Sequence, residues 1–484
     1  MNPTPKEQVS IEAMIEKIKE GAEFFRCKEG KTWAKIYVRH KRHIVLINSK
    51  MFKAWVSVFV KEQFKKHPST QTIANMVEYL GNETYLSGKE QMIHGRITYA
   101  NGAYWYYLAN KKKQAVRIDA LGWSVKDENL PNFRDLDHVS EQVVPESSGN
   151  IRRLLDFVPL NDDPSKLLLL VYVVSCFLPD IPHPILTFQG SKGSAKTTST
   201  NMIQRLVDPQ NAGCSVLPRL DYELGLQLSQ NSFVVYDNLS QLQPWQSDML
   251  CRAVTGGSVS KRENYTDTDM VRVGFQACIA LNGINLVATK SDLIDRCLLF
   301  SLQRIPEEQR KPLQEIEAEF KDALPSILGG IFSTLSKSIL EYQNVSLRHF
   351  PRMADFCKWG CAIAKAMGYS EEEFVEAYQQ NIKLGQEATV ESNLLAITLE
   401  SFMKDKKEWT GSIGELYTAL EDTLLSLRLN KDRSFPRGAN KIMAAIREIL
   451  PDLESFGIKV EKLVRTSMGV NVKISNTGAL PEFS

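Results

Sequence analysis

Residues 185–198 restrict this chain more than any other stretch. They read Ile-Leu-Thr-Phe-Gln-Gly-Ser-Lys-Gly-Ser-Ala-Lys-Thr-Thr, with Pro182 and Pro184 just before them. A short apolar run of strand type leads into a glycine-rich turn, a lysine and paired threonines. The segment after it, from Asn201 to Val207, has the apolar spacing of a helix. Strand, glycine-rich turn, Lys-Thr and helix in that order predict a loop that cradles the phosphates of a nucleoside triphosphate. Gly190 and Gly193 let backbone amides turn towards phosphate oxygens without a Cβ in the way. The next helix presents its partly positive N-terminus. Lys196 would reach the β and γ phosphates, and the Thr197 hydroxyl suits Mg²⁺, a hard cation that takes oxygen ligands. The candidate nucleotide-binding residues are therefore Gly190, Ser191, Lys192, Gly193, Ser194, Ala195, Lys196, Thr197 and Thr198, with ATP and Mg²⁺ as the expected ligands. Ala195 stands where a second fixed glycine is usual, a change that is tolerable if the residue has already entered the helix.

Such a site needs a second acidic position for the cation and the attacking water. Residues 233–236, Phe-Val-Val-Tyr, form an apolar strand that runs into Asp237 and Asn238, a Walker B pattern. Asp237 would share the Mg²⁺ shell with Thr197. Asn238 occupies a position that often carries a catalytic glutamate. An amide can orient a water but cannot take its proton, so catalysis would lean on positioning and charge stabilisation, or on another carboxylate. The strand at 277–281 ends in Asn282, placed to sense the γ-phosphate or the water. Residues 292–296, Asp-Leu-Ile-Asp-Arg, then offer Arg296 as an arginine finger given to a neighbouring copy. The plainer alternatives are a turn residue for Asn282 and a surface salt bridge for Arg296.

Between the acidic strand and the Asn282 strand lie residues 255–272, whose pattern suits a β-hairpin with its turn near 266–269. Lys261, Arg262 and Arg272 make it basic, and lysines on such a hairpin can follow a nucleic-acid backbone without reading bases. Lys261 or Arg262 pointing at a neighbour's nucleotide is the alternative, and a plain charged surface hairpin is the bland one.

The order of these segments carries a family resemblance. The glycine-rich loop, Asp237-Asn-Leu-Ser, Leu250-Cys-Arg-Ala-Val-Thr-Gly-Gly, Lys261-Arg-Glu-Asn-Tyr-Thr-Asp, Leu281-Asn-Gly-Ile and Asp292-Leu-Ile-Asp-Arg resemble the AAA+ ATPases of phages and mobile elements. They are similar in particular to the self-loading replicative helicases of staphylococcal cassette elements, which are akin to MCM and superfamily 3 helicases. Residues 351–359, Pro-Arg-Met-Ala-Asp-Phe-Cys-Lys-Trp, are similar to a segment that comes after the ATPase core there, and Arg352 is a candidate nucleotide-sensing arginine on that basis. The resemblance spans roughly residues 145–390. It implies a ring, a hexamer in that family, that hydrolyses ATP and moves along single-stranded or forked DNA, with a primase, polymerase or initiator among its partners. An AAA+ ATPase that remodels or regulates a protein without unwinding DNA is the competing class. A small-molecule P-loop kinase has no use for Arg296, and Asp135 with Asp137 is a lone acidic pair that does not make a primase site.

The rest of the chain supports an α/β core between two smaller units. With 484 residues, 43% hydrophobic and 24% charged, it is long enough for several packed domains and globular in composition. Residues 1–120 carry 21 Lys+Arg against 11 Asp+Glu although the whole chain is only +2. That asymmetry suits a polyanion partner, or simply a solvated lysine surface. We read this quarter as a mixed α+β domain. Residues 33–47 alternate as strands with a basic face, and residues 51–64 have helical spacing. Tyr99, Tyr104, Trp105, Tyr106 and Tyr107 beside Lys111, Lys112 and Lys113 are either a base-stacking surface or, more commonly for strand aromatics, core. His40 and His43 lack further ligands for a metal.

Residues 121–149 read as a polar connector, 150–305 as the α/β ATPase core with a parallel sheet, and 306–392 as a helical extension. Residues 393–484 predict two amphipathic helices, at 412–424 and 434–450. Two alternating segments come next, at 458–464 and 470–474, and the whole is a winged-helix pattern. Arg437, Lys441, Arg447 and Lys473 are its candidate phosphate contacts, against a role in protein contact. The eight cysteines are scattered, with no CxxC pair, and the first 23 residues are polar and charged. These features predict a reducing, cytoplasmic setting without a membrane. The most apolar run, residues 167–178, is too short to span a bilayer and reads as a buried helix.

Overall fold

The structure is a computed structural model of the 484-residue chain. It describes residues 10–191, 193–211, 213–239, 242–262, 270–283, 291–431, 435–466 and 469–477. At its centre is a four-stranded sheet in the order Phe233–Leu239, Cys278–Gly283, Ile185–Gln189, Cys297–Ser301, with every neighbouring pair parallel. These strands are continuous apolar runs, buried on both faces, as a sheet covered by helices requires. The strand that leads into the glycine-rich turn therefore does not lie beside the acidic strand; the Asn282 strand separates them. At the outer edge Ser215 makes a parallel bridge to Tyr236, so a fifth position is reduced to a single bridge.

Helices Lys196–Val207, Asp221–Gln230 and Pro244–Thr255 fill the connections between strands. Helix Asp163–Ser175 is buried on all sides from Leu167 onward, as its sequence predicts, beneath the helical layer of Leu313–Glu341, Ala354–Ala366 and Glu371–Ser392. One helical stretch, Leu313–Asn344, is long and apolar enough to cross a membrane, but 72% of its most apolar window is buried inside the protein. Its Gly329 is needed for close approach: a Cβ there would lie 1.7 Å from the carbonyl oxygen of Glu146.

The basic N-terminal quarter holds two sheets. Lys41–Leu46, Thr32–Val38, Glu23–Arg26 and Lys89–Glu90 form one, packed under helices Ile11–Gly21, Lys50–Phe64 and Thr70–Ser87 around Phe52, Val56 and Leu80. Ile97–Ala100, Ala103–Tyr107, Ala115–Asp119 and Gly122–Lys126 form an antiparallel meander. The meander's Tyr106, Val116 and Ile118 join the central core, and Trp123 donates its indole N–H to Ser333 Oγ at 2.9 Å. The position expected to be a connector from residue 121 thus carries a strand of this meander. Of the aromatics read as core or stacking surface, Trp105, Tyr106 and Tyr107 are buried and only Tyr99 is substantially exposed, at 48%.

A buried ion pair locks the meander to the central sheet. Arg96 Nε lies 2.8 Å from Asp208 Oδ1, with both side chains nearly inaccessible. The remaining Arg96 donors reach the carbonyls of Tyr107, Ser140 and Pro209, and Asp208 Oδ2 accepts from the backbone N–H groups of Ser232 and Phe233. Every polar group of the pair is thereby engaged, the condition under which a buried charge pair is tolerated.

The C-terminal unit has its own core around Leu399, Leu416, Leu420, Ile442, Ile446 and Val472. Its order is helix Leu394–Met403, strand Glu408–Ser412, helices Ile413–Ser426 and Ala439–Ser455, and strands Ile458–Thr466 and Gly469–Asn476. The first helix and the short strand, which pairs with Gly469–Asn476, go beyond the pattern read from sequence. The second predicted helix starts at Ala439 rather than 434, because Pro436 and Gly438 hold the chain extended.

Candidate functional site

The turn after Ile185–Gln189 has the backbone of a phosphate cradle. Gly190 (φ +150°) and Gly193 (φ +84°) occupy conformations that L side chains rarely adopt. A Cβ on Gly190 would also meet Leu302 O at 2.6 Å and Ser194 Oγ at 2.8 Å. Lys192 lies outside the described residues. Ala195 departs from expectation: it has not entered the helix but caps it in the left-handed region, with φ 59° and ψ 22°. That conformation crowds an alanine Cβ, which is why glycine is usual here. The helix begins at Lys196, whose Nζ donates to Gly190 O at 2.6 Å and Ser191 O at 3.1 Å, closing the mouth of the loop. Ser194 Oγ is buried with no partner.

Four of the sequence candidates converge at this edge of the sheet. Thr197 Oγ1 donates to Asp237 Oδ2 at 2.9 Å, bringing helix and acidic strand together. Asn282 is the penultimate residue of its strand and buried, not a surface turn residue; its Nδ2 donates to Thr200 Oγ1, and its Oδ1 has no partner. Thr200 in turn donates to Lys196 O at 2.5 Å. The Asn282 amide therefore reaches the loop helix through one hydroxyl. Asn238 comes after a register shift between Tyr236 and Leu239, and is exposed with φ +56°. Asparagine tolerates that backbone better than most residues do. Cys214, near Asp237, stays a neutral thiol: burial and that carboxylate push it up to about 11, and it donates to Asn201 Oδ1 at 2.8 Å.

Two residues at this edge were not marked by sequence. Thr200 is one. Arg310 is the other; its Nη2 lies 3.7 Å from where a Cβ on Gly193 would be, and it is held by Ile305 O through Nε and by Glu307 at 3.7 Å. No motif in the sequence flags it, because the turn that brings it back to Gly193 is set by packing.

Arg296 lies elsewhere. Its carbonyl accepts from Ile185 N at 2.7 Å, and Cys297 pairs in register with Ile185 at the start of the loop strand. The loop leaves that strand at its far end, after Gln189. The strand's 5 residues, about 16 Å of chain, separate the two levels, more than an arginine side chain spans. Arg296 is 16% exposed and lies 3.6 Å from Asp292 Oδ1 through Nη2, so the salt-bridge alternative exists as a long pair.

The hairpin forms as expected from Gly257–Arg262 and Met270–Phe275, antiparallel, although its turn at residues 263–269 and the Arg262 side chain lie outside the described residues. Its base is buried through Val259, Val273 and Phe275 against helix Asp221–Gln230. Gly225 of that helix has no room for a Cβ, which would sit 2.3 Å from Val259. Lys261 is exposed with its ammonium 5.3 Å from the Tyr222 ring centroid, and exposed Arg272 donates from Nε to Ser258 Oγ at 2.9 Å. In the C-terminal unit Arg437, Lys441 and Arg447 are exposed, whereas Lys473 pairs with Glu408 at 2.8 Å. His43 sits not on a metal but on Asp135, at 2.9 Å. Among the described residues no group of three or more His, Cys, Asp or Glu side chains is placed to hold a metal ion.

Family comparison covers the same parts of the chain. Residues 151–383 match the actinomycete integrative conjugative element replication protein, and residues 395–481 match the C-terminal domain of that replication protein. The chain is a mobile-element replication protein. The first match takes in the loop, Asp237, Asn282, Arg296, the hairpin and the helical layer. The second takes in the separate C-terminal core, so the boundary near residue 393 divides the replication protein where the family does. No curated protein matches the replication protein's sequence. Solved structures similar to it include the A form apo structure of the NrS-1 C-terminal region, at 11% identity and a TM-score of 0.41, covering 95% of this chain and 97% of that one. A second A form structure of that region gives 12% identity and a TM-score of 0.39 over the same shares. Likenesses that distant carry no argument about function.

Proposed function

We propose that this replication protein is an ATP-driven, ring-forming DNA helicase of the AAA+ type. One relationship carries the reading: Lys196, Thr197, Asp237 and Asn282 meet where the parallel strands end, while Arg296 stands where they begin, out of reach of that site in its own copy. The strand order supports the reading, because the Asn282 strand lies between the loop strand and the acidic strand and so sets its polar residue beside both. The helix–strand–helix–helix–strand–strand order of residues 394–476 supports the winged-helix reading of the C-terminal unit.

In this reading the triphosphate of ATP displaces the loop carbonyls from Lys196 Nζ. The backbone amides of residues 193–197, at the turn and the helix N-terminus, would face its oxygens. The Thr197 hydroxyl and the Asp237 carboxylate, already 2.9 Å apart, form the hard oxygen set that suits Mg²⁺. Bound there, the ion neutralises charge on the phosphate oxygens. Asn282, whose amide oxygen has no partner, would accept a hydrogen bond from the attacking water, and its second Nδ2 hydrogen would meet a γ-phosphate oxygen. Asn238 offers no proton acceptor, so rate would come from positioning and from the neighbour's Arg296. Lys261, Arg262 and Arg272 on the hairpin would convert turnover into movement by touching successive DNA phosphates.

The test is steady-state ATP hydrolysis with and without single-stranded DNA, together with strand displacement on a fork. The expected result is DNA-stimulated turnover and unwinding, both lost in Lys196→Ala. Lys261→Ala with Arg262→Ala should lose unwinding before nucleotide binding. Turnover without DNA stimulation or unwinding favours the alternative, an AAA+ ATPase acting on a protein partner.

A further inference from the structure

Asp292 is claimed by two arginines at once. Arg352 Nη2 contacts Asp292 Oδ1, and its Nη1 donates to Asp295 Oδ2 at 3.0 Å. Arg296 Nη2 is left 3.6 Å from the same Oδ1, too far for a hydrogen bond, and its Nε is buried with no acceptor. The Cys251 thiol also bonds Asp292; burial first, and that carboxylate second, push the thiol up to about 12, so it remains a donor. Asp292, Asp295 and Arg296 belong to the end of the parallel sheet. Arg352 comes from the start of the helical layer, just before Ala354–Ala366.

We propose that Arg352 is a positioning residue: by occupying Asp292 and Asp295 it keeps Asp292 from closing on Arg296, and so leaves the Arg296 guanidinium free to reach the triphosphate bound by an adjacent copy of this chain. The inference rests on the ATPase reading above. Asp292 and Arg296 are four residues apart on one turn, a spacing at which an aspartate and an arginine pair readily when nothing competes. A bidentate guanidinium shared between two carboxylates is such a competitor, and the stronger one. Because Arg352 rides on the helical layer, a shift of that layer relative to the sheet would hand Asp292 from one arginine to the other. The arrangement couples the position of the helices to the availability of Arg296.

The test uses the full chain and a double-mutant cycle read in kcat and KM for ATP. Arg352→Ala should lower kcat at least tenfold and Arg352→Lys less, both with KM within about threefold, because Asp292 then captures Arg296. Adding Asp292→Asn to either should restore most of kcat. A double variant as slow as its single parent, in whichever background folds, overturns the proposal. So does a rise in KM at constant kcat, which would make Arg352 a direct nucleotide ligand. Failure of the underlying reading looks different: wild-type protein without turnover, or Lys196→Ala with turnover intact.

Discussion

The Thr197 hydroxyl donates to the Asp237 carboxylate across 2.9 Å, although 40 residues separate them in the chain. Helix Lys196–Val207 and strand Phe233–Leu239 meet at that bond, and under the proposed function its two oxygens would hold Mg²⁺. Thr197→Ala removes one of the two. The Mg²⁺ concentration for half-maximal ATP turnover should rise roughly 10–100-fold, the scale on which metal-site partners act. A Mg²⁺ titration at saturating ATP measures it, and an unchanged midpoint would refute the assignment of Thr197.

Ala195 is held with φ 59° at the cap of the same helix. Glycine adopts that backbone without a Cβ penalty, which for other residues is about 1–2 kcal/mol. Ala195→Gly should therefore stabilise the core by roughly 0.5–1 kcal/mol, once glycine's larger entropy loss is set against the relief of strain. Denaturant unfolding followed by tryptophan fluorescence reports it. A destabilised variant would mean that the alanine Cβ makes a favourable contact that outweighs the strain.

Arg296 and Lys196 lie at opposite ends of neighbouring strands, and in the proposed ring they would complete one site from two copies. Arg296→Ala should cut turnover about 10³-fold while sparing ATP binding. Mixed with Lys196→Ala subunits, it should regain part of the activity, because some interfaces then combine an intact loop with an intact arginine. Absence of rescue across mixing ratios would exclude action between subunits.

Asp135 supplies the pH dependence. Burial alone would raise its pKa, but His43 and Lys113 outweigh that and hold it below the usual carboxylate range. A carboxyl depressed in the folded state contributes stability above its unfolded value, near 3.9, and loses it as pH falls through the folded value. Asp135→Asn, which leaves the Lys113 ammonium without its counter-charge, should cost about 3 kcal/mol at pH 7. The gap to wild type should shrink as the pH is lowered past about 4. Thermal melts of both proteins between pH 7 and pH 3 show whether the curves converge.

Much of this was legible along the chain. The glycine-rich turn, the apolar strands, the helix after the loop, the existence of the hairpin and the two terminal strands are local patterns, set by residue type within a few positions. Residues 185–198 alone specified a turn whose backbone faces phosphate. Asp237 and Asn282 were marked by their place after the glycine-rich loop, because a polar residue closing an apolar strand is common and only that order singles these two out.

Other features depended on packing. Periodicity says which face of a segment is apolar, never what covers it. The meander beyond residue 96 therefore looked like the edge of a separate domain, whereas Tyr106, Val116 and Ile118 lie in the central core. The same limit hid Arg310 beside Gly193, Thr200 beneath Asn282 and the Arg96–Asp208 pair, whose partners are distant in sequence. It also hid the contest between Arg352 and Arg296 for Asp292. Sequence by itself determined the chemistry at hand: an amine, a hydroxyl, a carboxylate and an amide suited to a triphosphate. Only the tertiary structure decided that the loop and Arg296 lie at opposite ends of neighbouring parallel strands, because strand order and direction arise from contacts between segments that no local pattern encodes.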